Sequence, residues 1–233
     1  KVFTAIFPKK VLFRIEPYIR NCYAFFKKGS HHFCSVCEFK AASFERLPNS
    51  DLLCPKCGSL ARDRRLWKTI SEEYLRPNLK ILDFSPSRSL FRKWKKNPNI
   101  NHIASDLSGD FIADVTYNIT QIPENDTQFD LIICYHILEH VIDDVKAMRE
   151  LFRVLKPSGT VLIQTPFKEG EIYEDYTIKS DAERLIHFGQ EDHVRIYSVE
   201  GLKKRLTSVG FSVVVNQYKK DDYLGFSNEI MLV

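Results

Sequence analysis

The stretch FDLIICYHILEHV, residues 129–141, decides the fold class. Its first half is a short apolar run, typical of a strand buried within a sheet, and its second half is rich in ionisable side chains. Similar runs alternate with helical patterns from residue 79 onward. This alternation indicates an α/β fold with a largely parallel sheet. It predicts strands near 80–84, 101–105, 129–134, 159–165, 211–216 and 227–233, and helices near 88–96, 142–154 and 197–208.

Composition places the chain among globular proteins. Of its 233 residues 44% are hydrophobic and 27% charged, which argues against a disordered chain. No apolar run approaches the roughly 20 residues that a membrane-spanning helix needs. There is no cleavable signal pattern, although the sequence begins without Met. We therefore expect a cytoplasmic protein, with peripheral membrane contact as an alternative.

The net charge of +4 is concentrated in residues 1–30, where many Lys and Arg face a single acid, Glu16. Aromatic and aliphatic residues alternate with these cations. The pattern predicts a basic amphipathic segment that lies on an anionic membrane surface or follows a nucleic-acid backbone. The alternative is a helix that packs its aromatic face against the rest of the chain.

Four cysteines form two Cys-x-x-Cys pairs, and this spacing is typical of a zinc ribbon or knuckle. Two disulfides are the competing interpretation. A zinc ion with four thiolate ligands has no open position, so its role would be structural. Residues 31–75 are expected to form this module and a linking helix, whose arginines are either solvated or contact phosphate. The predicted zinc ligands are Cys34, Cys37, Cys54 and Cys57. Of the other two cysteines, Cys134 is expected to be a buried, inert strand thiol.

Residues 129–141 resemble the fourth strand and following loop of the class I S-adenosylmethionine-dependent methyltransferases, and LKPSGT, residues 155–160, resembles the turn before their fifth strand. The resemblance covers roughly residues 79–233. It implies that residues 76–233 form a catalytic domain with a Rossmann-like, mostly parallel seven-stranded sheet and helices on both faces. The cysteine pairs with CGSLARDRRLW, residues 57–67, and FGQEDHVR, residues 188–195, are similar to a bacterial subgroup with a cysteine module before this core.

The resemblance also implies a binding site for S-adenosylmethionine. Serines occupy the loop after the first strand, where the family has glycines, and Ser85 or Ser89 is expected to cap the next helix. Asp106 would accept hydrogen bonds from the ribose hydroxyls. Asn118 stands where the family has an acid that binds the adenine amino group, with Asp114 as a rival. The residues expected at the cofactor are Asp83, Ser85, Ser87, Asp106, Leu107, Asn118, Ile119 and Tyr135.

Candidate catalytic residues follow the fourth strand and lie in the loop 189–195. His136 is expected to act as a base or to orient the acceptor, or else to be a packing histidine. His140 is expected to be structural, and His136 and His140 are not expected to bind a metal without an acid from elsewhere. In the loop, we expect Asp192 and His193 to face substrate and Arg195 to hold an anionic group, unless the loop is a plain surface segment.

Three functions remain open from the sequence. The first is methyl transfer to a small molecule or glycan intermediate, with oxygen as the acceptor atom and residues 1–30 near the membrane. The second is methylation of RNA gripped by the zinc module and the arginines after it. The third is a binding scaffold without enzymatic activity, since the glycines of the first loop are missing.

Overall fold

The computed structural model describes residues 9–233 and divides the chain into two compact units. The cysteine unit contains residues 9–76 together with residues 87–98 and 218–229. The sheet unit contains residues 77–86, 99–217 and 230–233. Two segments that the sequence places within the α/β region therefore belong to the cysteine unit.

In the part of the chain that the structure describes, the cysteine unit contains three helices and four short strands. Strand β1 pairs with β2 and β3 with β4, both antiparallel, and α2 continues into a π-helical turn, Ile70–Tyr74. The bounds are α1 Lys9–Phe25, β1 Lys28–Phe33, β2 Lys40–Ala41, β3 Glu45–Arg46, β4 Leu52–Leu53, α2 Ala61–Thr69 and α3 Arg88–Trp94.

Helix α1 contains most of the predicted basic amphipathic segment, of which residues 1–8 lie outside the described residues. Its single acid, Glu16, is the centre of a cluster of arginines. Oxygen atoms of Glu16 lie 2.8 Å from Arg20 Nε, 2.9 Å from Arg92 Nη2 and 3.5 Å from Arg88 Nη1. The negative charge thus fixes α1 against α3 within this unit.

The sheet unit carries the strands and helices that position the candidate site. Their bounds are β5 Lys80–Phe84, β6 Asn101–Ser105, β7 Phe129–Tyr135, the 3-10 turn Leu138–His140, α4 Asp144–Val154, β8 Leu155–Gln164, β9 Tyr173–Glu174, α5 Asp181–Phe188, β10 Arg195–Ile196, α6 Val199–Val209, β11 Val215–Tyr218 and β12 Glu229–Leu232. β9 and β10 form a separate antiparallel pair.

The main sheet has the strand order β11-β12-β8-β7-β5-β6. The four strands β6, β5, β7 and β8 are parallel, and β12 is antiparallel to β8. The predicted α/β class with a mostly parallel sheet is confirmed, and β11 and β12 lie at the sheet edge as expected. The strand number is corrected from seven to six, because the chain after β6 forms only isolated bridges, Ser105 with Val115 and Asn118 with Gln121.

Apolar side chains from the strands, α4 and α6 form the core of this unit. Leu82, Ile132, Met148, Leu151 and Leu202 are among its fully buried members. Each such side chain stabilises the fold by about 1.5–3 kcal/mol relative to exposure. Because these four neighbouring strands run parallel, their carboxyl ends meet at one edge of the sheet. Ligands bind at this edge in folds of this class.

Among the described residues, none of the helices combines the length and the apolar character that crossing a bilayer requires.

Candidate cofactor and acceptor site

The carboxyl ends of β5 and β6 are joined by a serine and an aspartate. Ser85 Oγ donates a hydrogen bond to Asp106 Oδ1 at 2.8 Å, and Ser85 N donates to Ser105 O at 2.7 Å. Ser85 has a φ of +49°, a left-handed conformation that glycine adopts more readily than serine. The two hydrogen bonds hold Ser85 there, so the sharp turn expected of a glycine is made here by a serine.

Asp106 is a buried acid surrounded by donors. Besides Ser85, its carboxylate accepts from Ser108 Oγ at 3.0 Å and from Gly109 N at 2.6 Å. The neighbouring apolar side chains of Leu107 and Phe111 are 62% and 48% exposed. An oriented carboxylate beside exposed apolar side chains offers the two kinds of contact that a nucleoside needs, acceptors for its hydroxyls and an apolar surface for its base.

Other predicted cofactor residues already have partners within the sheet unit. Asp83 is buried, and one of its carboxylate oxygens lies 3.1 Å from His102 Nε2. Asn118 Oδ1 accepts from Thr120 N and Thr120 Oγ1, both at 2.9 Å, and so stabilises a turn. The rival Asp114 accepts from Ala104 N at 3.0 Å.

The remaining three predicted cofactor residues lie in different surroundings. Ile119 is buried in the core, and Tyr135 Oη donates to Met231 Sδ at 2.7 Å. Ser87 belongs to the cysteine unit, where its Oγ accepts from Leu90 N at 3.3 Å and caps α3. The expectation that Ser85 or Ser89 is this cap is therefore wrong, because Ser87 is the last residue before the helix and has the extended backbone of a cap.

A cluster of ionisable groups follows β7. His136 also has a left-handed backbone, with a φ of +55°, and its Nδ1 lies 3.2 Å from Glu139 Oε1. The side chain of Glu139 is 1% exposed. Burial raises the pKa of this carboxyl, but the neighbouring His136 and His140 outweigh that effect, so its pKa lies below its usual range. Glu139 is thus a buried anion.

The loop 189–195 meets this cluster. Asp192 Oδ2 lies 3.1 Å from His140 Nδ1, and His193 packs edge-on against the His140 ring, with 4.6 Å between centroids. His193 is buried, its Nδ1 lies 3.3 Å from Phe188 O, and its pKa is lowered by burial and by His140. The structure therefore gathers the three predicted catalytic residues around Glu139 and His140.

Sequence reasoning assigned no role to Glu139 and treated His140 as structural. The sequence feature that could have indicated this cluster is an acid next to a histidine just after a buried strand, together with a second histidine in a polar loop. Their proximity depends on the hydrogen bond from Val194 N to Glu139 O, 2.9 Å, which the sequence does not reveal.

Arg195 does not hold an anionic group of a substrate. Its side chain is fully buried and donates to Leu138 O at 3.1 Å, to Ile142 O at 2.8 Å and to Val141 O. It also pairs with Glu174 at 3.0 Å. The prediction is corrected because three main-chain carbonyls around the 3-10 turn take up the donors of the guanidinium.

The four paired cysteines of the cysteine unit converge. Their sulfur atoms all lie within 4.8 Å of one another, with 3.6 Å between Cys34 and Cys57 and 3.8 Å between Cys37 and Cys54. A tetrahedral zinc site with Zn–S bonds of about 2.3 Å has edges of about 3.8 Å. A disulfide would bring sulfurs to about 2.05 Å, so these pairs are not disulfides.

Tight turns support both cysteine pairs. Glu38 N donates to Cys34 O at 2.7 Å and Gly58 N to Cys54 O at 3.0 Å. Both turns end in a left-handed residue, with a φ of +60° at Glu38 and +76° at Gly58. The four thiols thus have the local geometry and the spacing that a tetrahedral metal ion requires.

Two of the three arginines after the cysteines, Arg64 and Arg65, are not solvated, whereas the side chain of Arg62 is 42% exposed and lies 3.7 Å from Asp51. Arg64 is fully buried and donates to Ser59 O at 2.6 Å, Leu224 O at 2.9 Å and Gly225 O at 2.6 Å. Arg65 is also buried and donates to Lys219 O at 2.6 Å. These two residues are therefore not the predicted phosphate contacts, since carbonyl groups of the same unit hold them.

Comparisons with known proteins agree with this architecture. A family model described as a methyltransferase domain matches residues 28–216. A ubiquinone/menaquinone biosynthesis C-methyltransferase of Laribacter hongkongensis is 28% identical over 141 residues, which cover 50% of this chain and 57% of that protein. The corresponding protein of Vibrio parahaemolyticus is 32% identical over 120 residues, covering 42% and 46%. An uncharacterized protein of Methanocaldococcus jannaschii is 37% identical over 65 residues, covering 26% and 28%.

Solved structures show the same fold. The chain superposes on phosphoethanolamine N-methyltransferase 2 of Haemonchus contortus with a TM-score of 0.51 and 17% identity, covering 66% of this chain and 39% of that one. It superposes on the [4+2]-cyclase SpnF with a TM-score of 0.51 and 15% identity, covering 89% and 74%. The chain spans between 28% and 57% of the length of the three curated relatives described above. Because the family model matches most of the chain, this protein belongs to the methyltransferase-domain family.

Proposed function

We propose that this chain is an S-adenosylmethionine-dependent methyltransferase. The observation that carries the proposal is the pair of Ser85 and Asp106 at adjacent strand ends, with the exposed side chain of Leu107 beside it. In this arrangement Asp106 would accept hydrogen bonds from the ribose hydroxyls and Leu107 would offer an apolar surface to the adenine ring. The family assignment supports the same cofactor.

Methyl transfer from a sulfonium is a displacement whose leaving group is already activated, so the protein mainly has to position the acceptor. His136, at the end of β7, is our candidate for the group that orients the acceptor or takes its proton. Its left-handed backbone and its contact with Glu139 fix the direction of the imidazole. Strained residues of this kind are frequent at functional sites.

For the acceptor we propose a small molecule or glycan intermediate, methylated on oxygen. Exposed apolar side chains on the basic helix α1 and just after it favour an acceptor presented at a membrane surface. Phe26 is 80% exposed, and Tyr18, Ile19 and Phe25 are exposed as well. RNA is the second candidate acceptor, and the burial of Arg64 and Arg65 weakens it.

For the four cysteines we propose a structural zinc ion. The support is the spacing of the sulfurs and the presence of two buried thiols, Cys34 and Cys54. Four protein ligands complete the coordination of zinc, so the ion takes no part in methyl transfer. Its contribution would be to hold the short strands of the cysteine unit together.

Calorimetric titration with S-adenosylmethionine and with S-adenosylhomocysteine tests the cofactor site. We expect the wild type to bind both, and Asp106→Asn to weaken binding by at least about tenfold, or about 1.4 kcal/mol, because the variant loses the charge that accepts two ribose hydroxyls. Asp110→Asn, an exposed neighbour in the same loop, is the matched control and should bind like the wild type.

Absence of binding by a folded, zinc-replete wild type at millimolar cofactor would overturn the enzymatic proposal and favour a scaffold. Nucleic acid that copurifies and is released by salt would instead favour RNA as the acceptor.

A further inference from the structure

The cluster after β7 has the composition and geometry of a metal site. Ligand atoms of Glu139, His140 and His193 all lie within 4.8 Å of one another. Two imidazoles and one carboxylate on one side of an ion are a common protein site for divalent first-row metals. This cluster belongs to the sheet unit and is separate from the four cysteines.

The two histidines are oriented as metal ligands usually are. Histidines that bind a metal through one ring nitrogen generally donate the N–H of the other to a carboxylate or a carbonyl. Here His140 Nδ1 faces Asp192 Oδ2 at 3.1 Å, and His193 Nδ1 faces Phe188 O at 3.3 Å. With these contacts on Nδ1, the Nε2 atom of each ring is the one left to bind an ion.

The carboxylate provides an independent observation. Glu139 is 1% exposed, and within residues 9–233 neither of its oxygens accepts a hydrogen bond of good geometry. Its Oε1 lies 3.2 Å from His136 Nδ1. A buried carboxylate without hydrogen bonds is costly, and a bound cation would repay that cost.

We propose that Glu139, His140 and His193 bind one divalent transition-metal ion, such as Mn²⁺. Three protein ligands leave positions open for ligands from solvent or substrate. The ion would therefore favour an acceptor with two neighbouring oxygens. That role rests on the proposed methyl transfer, whereas binding of the metal does not.

In the proposed reaction the metal lowers the pKa of the bound acceptor hydroxyl. The hydroxyl loses its proton to solvent, and its oxygen forms a bond to the methyl carbon. The bond between that carbon and the sulfonium breaks, and its electron pair stays on sulfur. The products are the methyl ether and S-adenosylhomocysteine.

Titration of the full chain with Mn²⁺ alone tests the site. Electron paramagnetic resonance measures the free Mn²⁺, and the difference from the total gives the number of bound ions. The protein is first treated with chelator, and its remaining zinc is measured by elemental analysis. We expect one bound ion per chain beyond the zinc of the cysteines, as Mn²⁺ or as retained zinc. We expect Glu139→Gln and His140→Gln to weaken the binding of this second ion at least tenfold or to abolish it. Both variants should leave the cysteine-bound zinc unchanged.

The matched control is His187→Gln, which changes an exposed histidine of α5 outside the cluster and should bind like the wild type. Thermal melting of each variant verifies folding. Because the side chain of His140 is 30% exposed, its substitution is the least disruptive to packing. A folded wild type without a second ion at millimolar Mn²⁺, or equal binding by the cluster variants, would overturn the proposal. Cofactor calorimetry without Mn²⁺ reports on the proposed function separately.

Discussion

Glu229 shows what burial does to a single charge. It is the first residue of β12, where the chain passes from the cysteine unit to the sheet unit, and it belongs to the cysteine unit. Its side chain is 5% exposed, and its Oε2 is 3.9 Å from Arg65 Nε. Burial raises the pKa of this carboxyl to about 7, and the attraction of Arg65 only partly opposes the shift. The folded protein therefore holds a proton on Glu229 at pH values where the unfolded chain has lost it.

This difference makes stability depend on pH. As the pH rises from about 4.5 to about 7, Glu229 ionises in the unfolded chain, which is stabilised by this, but not in the folded protein. The free energy of unfolding therefore falls over this range. Above pH 7 the contribution of Glu229 to the free energy of unfolding is constant. Glu229→Gln removes the effect. We expect the stability of the variant relative to the wild type to increase by about 2 kcal/mol between pH 5.5 and pH 8.

Urea unfolding at both pH values measures the effect, and Glu191→Gln, at an exposed position, is the control without a pH-dependent difference. If the stability difference between Glu229→Gln and the wild type is the same at pH 5.5 and pH 8, Glu229 does not carry a raised pKa.

Single residues also set the limit of prediction from sequence. The cysteine pairs were predictable because their ligand spacing is local. The position of Asp106 at a strand end was predictable because it lies at a fixed distance from the first loop, and its contact with the ribose stays a prediction. The burial of Arg195 and Glu139 was not, since it depends on contacts between segments more than 50 residues apart.

At the scale of elements, Arg195 is the residue that holds the turn after β7 in place. It joins β10 to the 3-10 turn Leu138–His140 through the carbonyl of Leu138 within that turn and the carbonyl of Ile142 after it. The turn carries Glu139 and His140. The position of the cluster therefore depends on a guanidinium that touches neither of these side chains.

Arg195→Lys should destabilise the protein by about 3–5 kcal/mol. The ammonium group of a lysine cannot reproduce the several directed hydrogen bonds of the guanidinium, so buried carbonyls would be left unsatisfied. Chemical unfolding measures this loss. The same exchange at exposed Arg149 on α4 should change stability by no more than about 0.5 kcal/mol. A loss below about 1 kcal/mol at Arg195 would mean that the turn is held by other contacts.

The pattern of elements shows where sequence periodicity succeeds and fails. The predicted central strands at 80–84, 101–105 and 129–134 agree with β5, β6 and β7. The signal is clearest in β7, where the continuous apolar run 131–134 follows from burial on both faces. The family resemblance implied a seventh strand, but the periodicity predicted none in the region after β6. There the side chain of Asp106 accepts hydrogen bonds from Ser108 and Gly109 and stabilises a turn.

At the scale of the whole molecule, the cysteine unit is assembled from segments far apart in the chain. Arg64, seven residues after Cys57, donates to the carbonyls of Leu224 and Gly225. Gly225 has a φ of +62°, and a Cβ there would lie 2.5 Å from Phe44, so only glycine fits this approach. The cysteines and residues 218–229 thus form a single folded unit, which the local cysteine pattern cannot reveal.

The proposed zinc should therefore stabilise both parts of that unit. In Cys54→Ser we expect loss of the metal by elemental analysis and a marked decrease in melting temperature, since three thiolates bind zinc far more weakly than four. Hydrogen exchange should become faster at residues 34–57 and also at 218–229, because Arg64 links them. Cys22→Ser, at an exposed cysteine outside the cluster, should keep the zinc and the exchange pattern of the wild type. Faster exchange confined to residues 34–57 would show that the C-terminal segment folds without the metal.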